Sequence, residues 1–475
     1  MLFNSYEFIF IFLPITFFIY FYLNKKHFTQ ASKGFLVFAS LFFYSYWNII
    51  YLPLILVSMF FNFTLGKLFS VQHKKKRRYS KKMLLGFGVS ANLALLGYFK
   101  YTDFFLINFN RVTGLEVPLL HLALPLAISF YTFQQIAYLV DSYKGETSDY
   151  DFLNYALFVT FFPQLIAGPI VHHAEMMPQF AKLKNKVKNY QHIAVGLFLF
   201  FMGLFKKVVI GDTFANWANQ GFAVADKLNM LEAWIASLSY TFHIYFDFSG
   251  YTDMAIGAAL LFNIKLPKNF FSPYKATSIQ DFWRRWHITL SRFLRDYLYI
   301  PLGGNRKTES RTYLNLFTTF VLGGIWHGAG WTFVLWGMLH GMGLIVQRIW
   351  QKVGIHMPRV LAWFITFNFV NIAWVFFNAE NFHVAKNVLK NMFTGTFVMP
   401  LSLIDNVKHF SKLYQHETYL LLWMLGAFIL VLFFPNSMEL KKRFKPNFFY
   451  MALTVIFFLA VFLLYRKSEF IYFNF

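Results

Sequence analysis

Cysteine is absent from all 475 residues of this chain, which excludes disulfides, thiolate metal sites and a cysteine-linked acyl intermediate. Any covalent relay must therefore use oxygen or nitrogen. Acidic residues are scarce too: 21 Asp and Glu stand against 44 Lys and Arg, and charged residues make up only 14% of the chain. No low-complexity linker, internal repeat or long polar stretch breaks the sequence, so residues 1–475 read as a single multi-pass membrane domain. What is abundant is apolar. Hydrophobic residues reach 57% and aromatics 22%, where a soluble domain has roughly 45–50% apolar residues.

Apolar runs recur at Phe8–Tyr22, Phe35–Phe43, Leu52–Leu65, Leu84–Tyr98, Leu119–Val140, Ile193–Phe205, Ala233–Phe246, Val334–Val346, Val360–Phe377, Tyr419–Phe434 and Phe448–Tyr465. The expected fold is an all-α integral membrane protein with about 11 transmembrane helices, a few of them short or re-entrant because a span needs roughly 20 residues. The first run lacks the basic leading region and small-residue cleavage site of a signal peptide, so it reads as a retained span. A net charge of +23 would suggest nucleic acid in a soluble protein. Here the cations sit in short loops between apolar runs and report topology instead, and no nucleic-acid partner is expected. The positive-inside rule puts Lys25-Lys26, the Lys74–Arg78 cluster with Lys81 and Lys82, and Lys441–Lys445 in the cytoplasm. Both termini then lie outside the cell or inner membrane.

The most informative residue is His327, in the apolar stretch Leu322-Gly323-Gly324-Ile325-Trp326-His327-Gly328-Ala329-Gly330-Trp331. An ionisable side chain within a membrane segment is costly and marks a functional site by default. A hydrogen-bonded structural histidine is the competing reading. The glycines around it suit a kinked or re-entrant segment beside a substrate path. His340, at about 100° per residue, falls on a different face of one straight helix, so it and Trp326 are expected to support His327 from behind.

From Ile279 to Tyr299 the spacing predicts one amphipathic helix. Phe282, Trp286, Leu290, Phe293 and Tyr297 form its apolar face, with Arg284, His287, Ser291 and Arg295 in a polar row, and Pro301 and Gly303-Gly304 end it. Such a helix lies at the membrane interface or lines a cavity. Its arginines suit lipid phosphate, and His287 alongside two of them suits an anionic ligand. Asp247 and Asp253, in an otherwise apolar region, read as proton-relay or cavity residues, or as hydrogen-bonding groups within the bundle. His172-His173 suggests no metal, because adjacent helical histidines diverge and no carboxylate cluster completes a site.

Longer segments carry a resemblance. Leu124–Gln134, Phe162–Pro169, Tyr245–Met254, Asp281–Arg306 and Ile325–Gly341 are similar to the membrane-bound O-acyltransferase superfamily, within it the bacterial branch that O-acetylates alginate and peptidoglycan. The motif-bearing core spans about 120–345. One departure is Val171-His172-His173, where the related proteins tend to have arginine, which leaves the role of that loop open. The resemblance implies a ring of helices with interfacial and re-entrant segments around a central acyl-transfer funnel. It implies acetyl-coenzyme A as the acyl donor, and His327 and His287 as the catalytic histidines. It also implies a periplasmic or extracellular Ser-His-Asp acetyltransferase as partner. D-alanyl transfer to teichoic acid is the nearest alternative within this superfamily.

Ester exchange needs a base for the attacking hydroxyl and a donor for the developing oxyanion. His327 suits the first role, and His287 suits orienting the donor or polarising its carbonyl. Arg284, Arg285 and Arg295 suit coenzyme A phosphates. The aromatic tail at 466–475 carries one phenol, Tyr472, which is expected to accept the acyl group with His327 as base and hand it to the partner; a tail that only packs or docks is the other reading. The membrane lipid is the remaining partner. The excess of Phe, Lys, Ile, Asn and Tyr points to an AT-rich coding sequence, which favours peptidoglycan over alginate. A transporter or flippase fits the same polar residues in a bundle and is the competing class.

Overall fold

The computed structural model describes residues 1–74, 80–147, 151–397, 417–463 and 470. Among them there is no strand. The helices are α1 Leu13–Lys25, α2 Thr29–Ser45, α3 Leu52–Lys74, α4 Lys81–Thr113, α5 Ile128–Lys144, α6 Phe152–Thr160, α7 Phe162–Leu165, α8 His173–Ala181, α9 Tyr190–Phe205 and α10 Asp212–Ala223. They continue with α11 Met230–Leu261, α12 Ile279–Arg285, α13 Ile288–Leu294, α14 Glu309–His327, α15 Trp331–Val353, α16 Arg359–Asn378, α17 Phe382–Thr394, α18 Glu417–Phe433, α19 Ser437–Arg443 and α20 Phe448–Leu463. Their starts are written in the sequence. Ser278 caps α12, Thr308 caps α14, and Asn229 with Glu232 forms a capping box on α11, each satisfying backbone N–H groups that the first turn leaves open.

Among the described residues, five helical stretches are long and apolar enough to cross a membrane: Glu7–Lys25, Ile49–Phe69, Lys81–Thr113, Tyr190–Ala223 and Arg359–Asn378. A sixth is added if Leu420–Phe433 and Ser437–Arg443, bent by 56°, count as one broken span. That standard gives fewer than the eleven expected. The difference has a physical cause in helices such as α11, which is long but carries Asp247, Asp253 and His243. Neighbouring helices shield it from lipid, so it does not need an apolar outer surface.

α11 is the axis of the molecule, buried along nearly its whole length from Ala233 to Leu261. It meets α9 backbone to backbone: a methyl group added at Gly196 would come within 2.9 Å of the Gly257 carbonyl oxygen. Small residues allow this approach, which substitutes for a hydrophobic driving force inside a membrane. Between α9 and α10 the chain widens into a π-helical turn, Lys206–Gly211. There the buried Lys207 ammonium joins Asp212 at 2.6 Å and Asp247 at 2.7 Å. Lys206 joins Asp253 at 2.8 Å, and Asp253 also accepts a hydrogen bond from the Ser437 hydroxyl. Asp247 and Asp253 therefore tie α11 to its neighbours.

The amphipathic helix expected over Ile279–Tyr299 is broken. α12 ends at Arg285, and His287 takes a left-handed backbone conformation with φ of 42° before α13 begins. For a residue with a side chain this conformation is uncommon and persists only where surrounding contacts hold it. It turns His287 inward, away from the arginines with which the helical spacing had aligned it. A π-helical turn, Arg295–Tyr299, follows α13.

Candidate active site

α14 ends at His327 because Gly328 is fully extended, and α15 starts at Trp331 after a three-residue turn. The two helices cross tightly, so that a methyl group on Gly324 would lie 3.0 Å from the Cα of Gly337. A helix leaves its last carbonyls without partners, and here α4 supplies donors. The Tyr101 hydroxyl donates to the Ile325 carbonyl at 2.7 Å, and the Lys100 ammonium to the Trp326 and His327 carbonyls at 2.6 and 3.1 Å. The same ammonium donates to the Ser129 hydroxyl at 3.3 Å. A cation at the negative end of a helix is favourable, and these bonds fix where His327 sits.

The imidazole of His327 is buried among the rings of Trp326, Trp336 and Phe377, at 4.9, 5.1 and 5.1 Å. Behind Trp336, at 4.7 Å, is His340. Its Nδ1 accepts the Trp283 indole N–H at 3.1 Å. Since indole can only donate, His340 carries its proton on Nε2. Trp326 starts a column of rings: Phe133 stacked on it at 4.9 Å, Phe293 stacked on Phe133 at 4.1 Å, then Tyr297 tilted against Phe293 at 4.9 Å. Beside the end of α14 lies a cavity of about 320 Å³, lined by Lys100, Asp103, Leu122, Leu124, Gly328 and Phe333 among others.

His287 is fully buried. Its Nδ1 is 3.2 Å from the Asn269 side-chain oxygen, which also accepts from the Thr289 N–H at 3.1 Å and the Thr289 hydroxyl at 2.8 Å. The backbone N–H fixes that atom as the oxygen, so the Nδ1 of His287 carries a proton and its Nε2 carries the lone pair. The Ile170 N–H donates to the Thr289 hydroxyl at 3.0 Å, tying the segment around Gly168-Pro169 to this loop. Phe248 packs edge-on against the imidazole at 4.7 Å. Lys100 reaches the His327 carbonyl from 227 positions away, and His340 lies behind the Trp336 ring that packs on His327.

The arginines do not join it. Arg284 is exposed, Arg285 pairs with Asp281 at 2.8 Å, and Arg295 pairs with the adjacent Asp296 at 2.7 Å. Asp247 faces Lys207. His172 and His173 do not diverge, because His172 caps α8 instead of lying within it. The Tyr297 hydroxyl lies 3.0 Å from the His172 Nδ1 and 2.9 Å from the Asp141 carboxylate, and the His173 Nδ1 lies 3.2 Å from Asp141. Burial alone would push the Asp141 carboxyl up, but hydrogen bonds from His172, His173 and Tyr297 outweigh it and hold the carboxyl below the usual carboxylate range. No group of three or more His, Cys, Asp or Glu suited to a metal occurs among the described residues. Tyr472 lies outside the described residues. Phe470, two positions earlier, is buried and stacked on Tyr251 at 4.4 Å, and is 5.7 Å from Phe248.

Lys100, Tyr101, Asn269 and Thr289 were not anticipated as site residues. A lysine just beyond the apolar run Leu84–Tyr98 was a signal for the first, while nothing local marked Asn269.

The family model for MBOAT, the membrane-bound O-acyltransferase family, matches residues 17–384. This chain belongs to that family. The acyltransferase resembles a protein of Helicobacter pylori named peptidoglycan O-acetyltransferase, 53% identical over 82% of this chain and 80% of the relative. A probable alginate O-acetylase of Pseudomonas aeruginosa is 41% identical over 84% of this chain and 76% of its own length. A teichoic acid D-alanyltransferase of Bacillus subtilis is 28% identical over 54% of this chain and 69% of the relative. The chain is thus a membrane enzyme of acyl transfer, which answers the transporter alternative.

Proposed function

We propose that this acyltransferase takes an acetyl group from acetyl-coenzyme A on the cytosolic side of the cytoplasmic membrane and delivers it for O-acetylation of peptidoglycan outside. The observation that carries the reading is His327, held at the pinned end of α14 beside the cavity. The 53% identity to a protein named for peptidoglycan favours that acceptor.

In this mechanism the His327 imidazole removes the proton of an attacking hydroxyl. The oxygen adds to the thioester carbonyl, with His287 orienting the donor through its Nε2 lone pair. The carbon–sulfur bond then breaks and the proton passes to the departing thiolate, giving an ester and free coenzyme A. Arg284 binds the coenzyme's phosphates, and Arg285 and Arg295 exchange their neighbouring carboxylates for them. Tyr472 is the first acceptor. Its phenol becomes an acetyl ester, which a serine of an extracytoplasmic Ser-His-Asp acetyltransferase then attacks, so that the acetyl group moves on and the phenol is restored. The burial of Phe470 against Tyr251 and Phe248, one ring from His287, supports a tail that returns to the bundle.

The test is mass spectrometry of muropeptides from a deletion strain carrying wild-type or His327→Ala protein at matched abundance. Loss of O-acetyl groups in the variant alone is the expected result. Equal acetylation in both strains overturns the reading, and exopolysaccharide acetyl content is then measured. Normal acetylation by Tyr472→Phe removes the relay step alone.

A further inference from the structure

A groove of about 840 Å³ runs between the end of α15, the start of α16 and the residues leading into α12. Its floor is Phe369, whose ring lies 5.6 Å from His340. Gly343 keeps it open, since a methyl group there would come within 2.9 Å of the Phe369 ring. Its flanks are apolar and outward-facing, with Met342, Val346 and Ile365 about half exposed. A groove with such flanks opens sideways onto hydrocarbon. Its mouth carries the exposed cations or potential cations Arg359 and His356, with no Asp or Glu in the lining. Arg359 forms no ion pair among the described residues, whereas the neighbouring Lys352 is paired with Glu309.

The mouth lies on the same side of the molecule as the basic helix α19. Trp363, one turn into α16, donates to the Tyr274 carbonyl at 2.9 Å, and Lys275 donates to the Phe434 carbonyl at 2.9 Å, just before α19. An apolar slot with a cationic rim at membrane depth matches an acyl chain joined to a phosphate. With no acid on the rim, nothing would receive the ammonium of a zwitterionic headgroup. From these features we propose that the groove is a binding site for an anionic glycerophospholipid, one acyl chain lying along α15 and α16 and its phosphate on Arg359. This site is independent of the acyl-transfer reading.

The test is native mass spectrometry of the full chain released from nanodiscs made of equal parts phosphatidylglycerol and phosphatidylethanolamine. Wild type retains phosphatidylglycerol in preference to phosphatidylethanolamine. Arg359→Gln lowers that retention about fivefold, the effect of one cation at a membrane surface. Val346→Trp, at a position that faces outward and tolerates a larger apolar side chain, fills the groove and lowers retention of both lipids. Unchanged retention in Arg359→Gln overturns the phosphate assignment. Unchanged retention in Val346→Trp, or no lipid preference in wild type, overturns the site.

Discussion

Removing the ammonium of Lys100 leaves two carbonyls at the end of α14 without their donor, and those carbonyls belong to Trp326 and His327. Hydrogen bonds to charged groups contribute about 1.5–3 kcal/mol each, so Lys100→Met is expected to lower acetyl transfer by about tenfold or more through misplacement of His327. Acetyl incorporation by purified protein, compared at equal amounts of monodisperse sample, checks this. The sequence marked His327 clearly, since an imidazole in an apolar, glycine-rich stretch is conspicuous. It did not mark Asn269, because a side chain that orients a histidine 18 residues away has no periodic signature. At Asp141 the prediction concerns pH. A carboxyl held below its ordinary value contributes stability that is fully present above the unfolded-state pKa of about 4 and is lost as the pH falls through the native value. Asp141→Asn should therefore unfold at lower temperature than wild type at neutral pH, and the gap should narrow only in acid. Thermal unfolding in detergent across that range is the measurement, and a gap that widens in acid would contradict the assignment.

Among the elements, the α14–α15 hairpin is the most sensitive, because its backbones meet at Gly324 and Gly337. Gly324→Leu forces the two helices apart at an overpacking cost of about 1–3 kcal/mol, and it displaces His327, which lies one turn beyond Gly324 in α14. The expected outcome is protein that still inserts in the membrane, with reduced thermal stability and no detectable acetyl transfer. The glycines were visible in the sequence as permission for close approach. Which helix would approach was not. The single helix expected over Ile279–Tyr299 shows the same gap from the other side: its apolar spacing is helical throughout, yet a left-handed residue at His287 divides it. Propensity gives no warning of such a turn, which is held by Asn269 and Phe248 arriving from elsewhere.

At the scale of the whole molecule, orientation is testable with unusual clarity, because the chain has no cysteine. Glu116→Cys, in the exposed loop between α4 and α5, should react with a membrane-impermeant maleimide in intact cells, whereas Lys445→Cys should react only after permeabilisation. The reverse pattern would invert the topology and with it the side from which the donor enters. Composition and loop charge were enough to determine a helical membrane protein, and the motif segments its family, because a bilayer imposes apolar runs and asymmetric cations on any chain that crosses it. The choice of His327 as the residue to explain was likewise legible, since burying an imidazole costs energy wherever it occurs. Tertiary structure alone decided that His287 turns away from its arginines, that Asp247 serves Lys207, and that α4 holds the end of α14. Each of these depends on a partner far along the chain, and sequence periodicity records only which face of an element is apolar, not what will be packed against it.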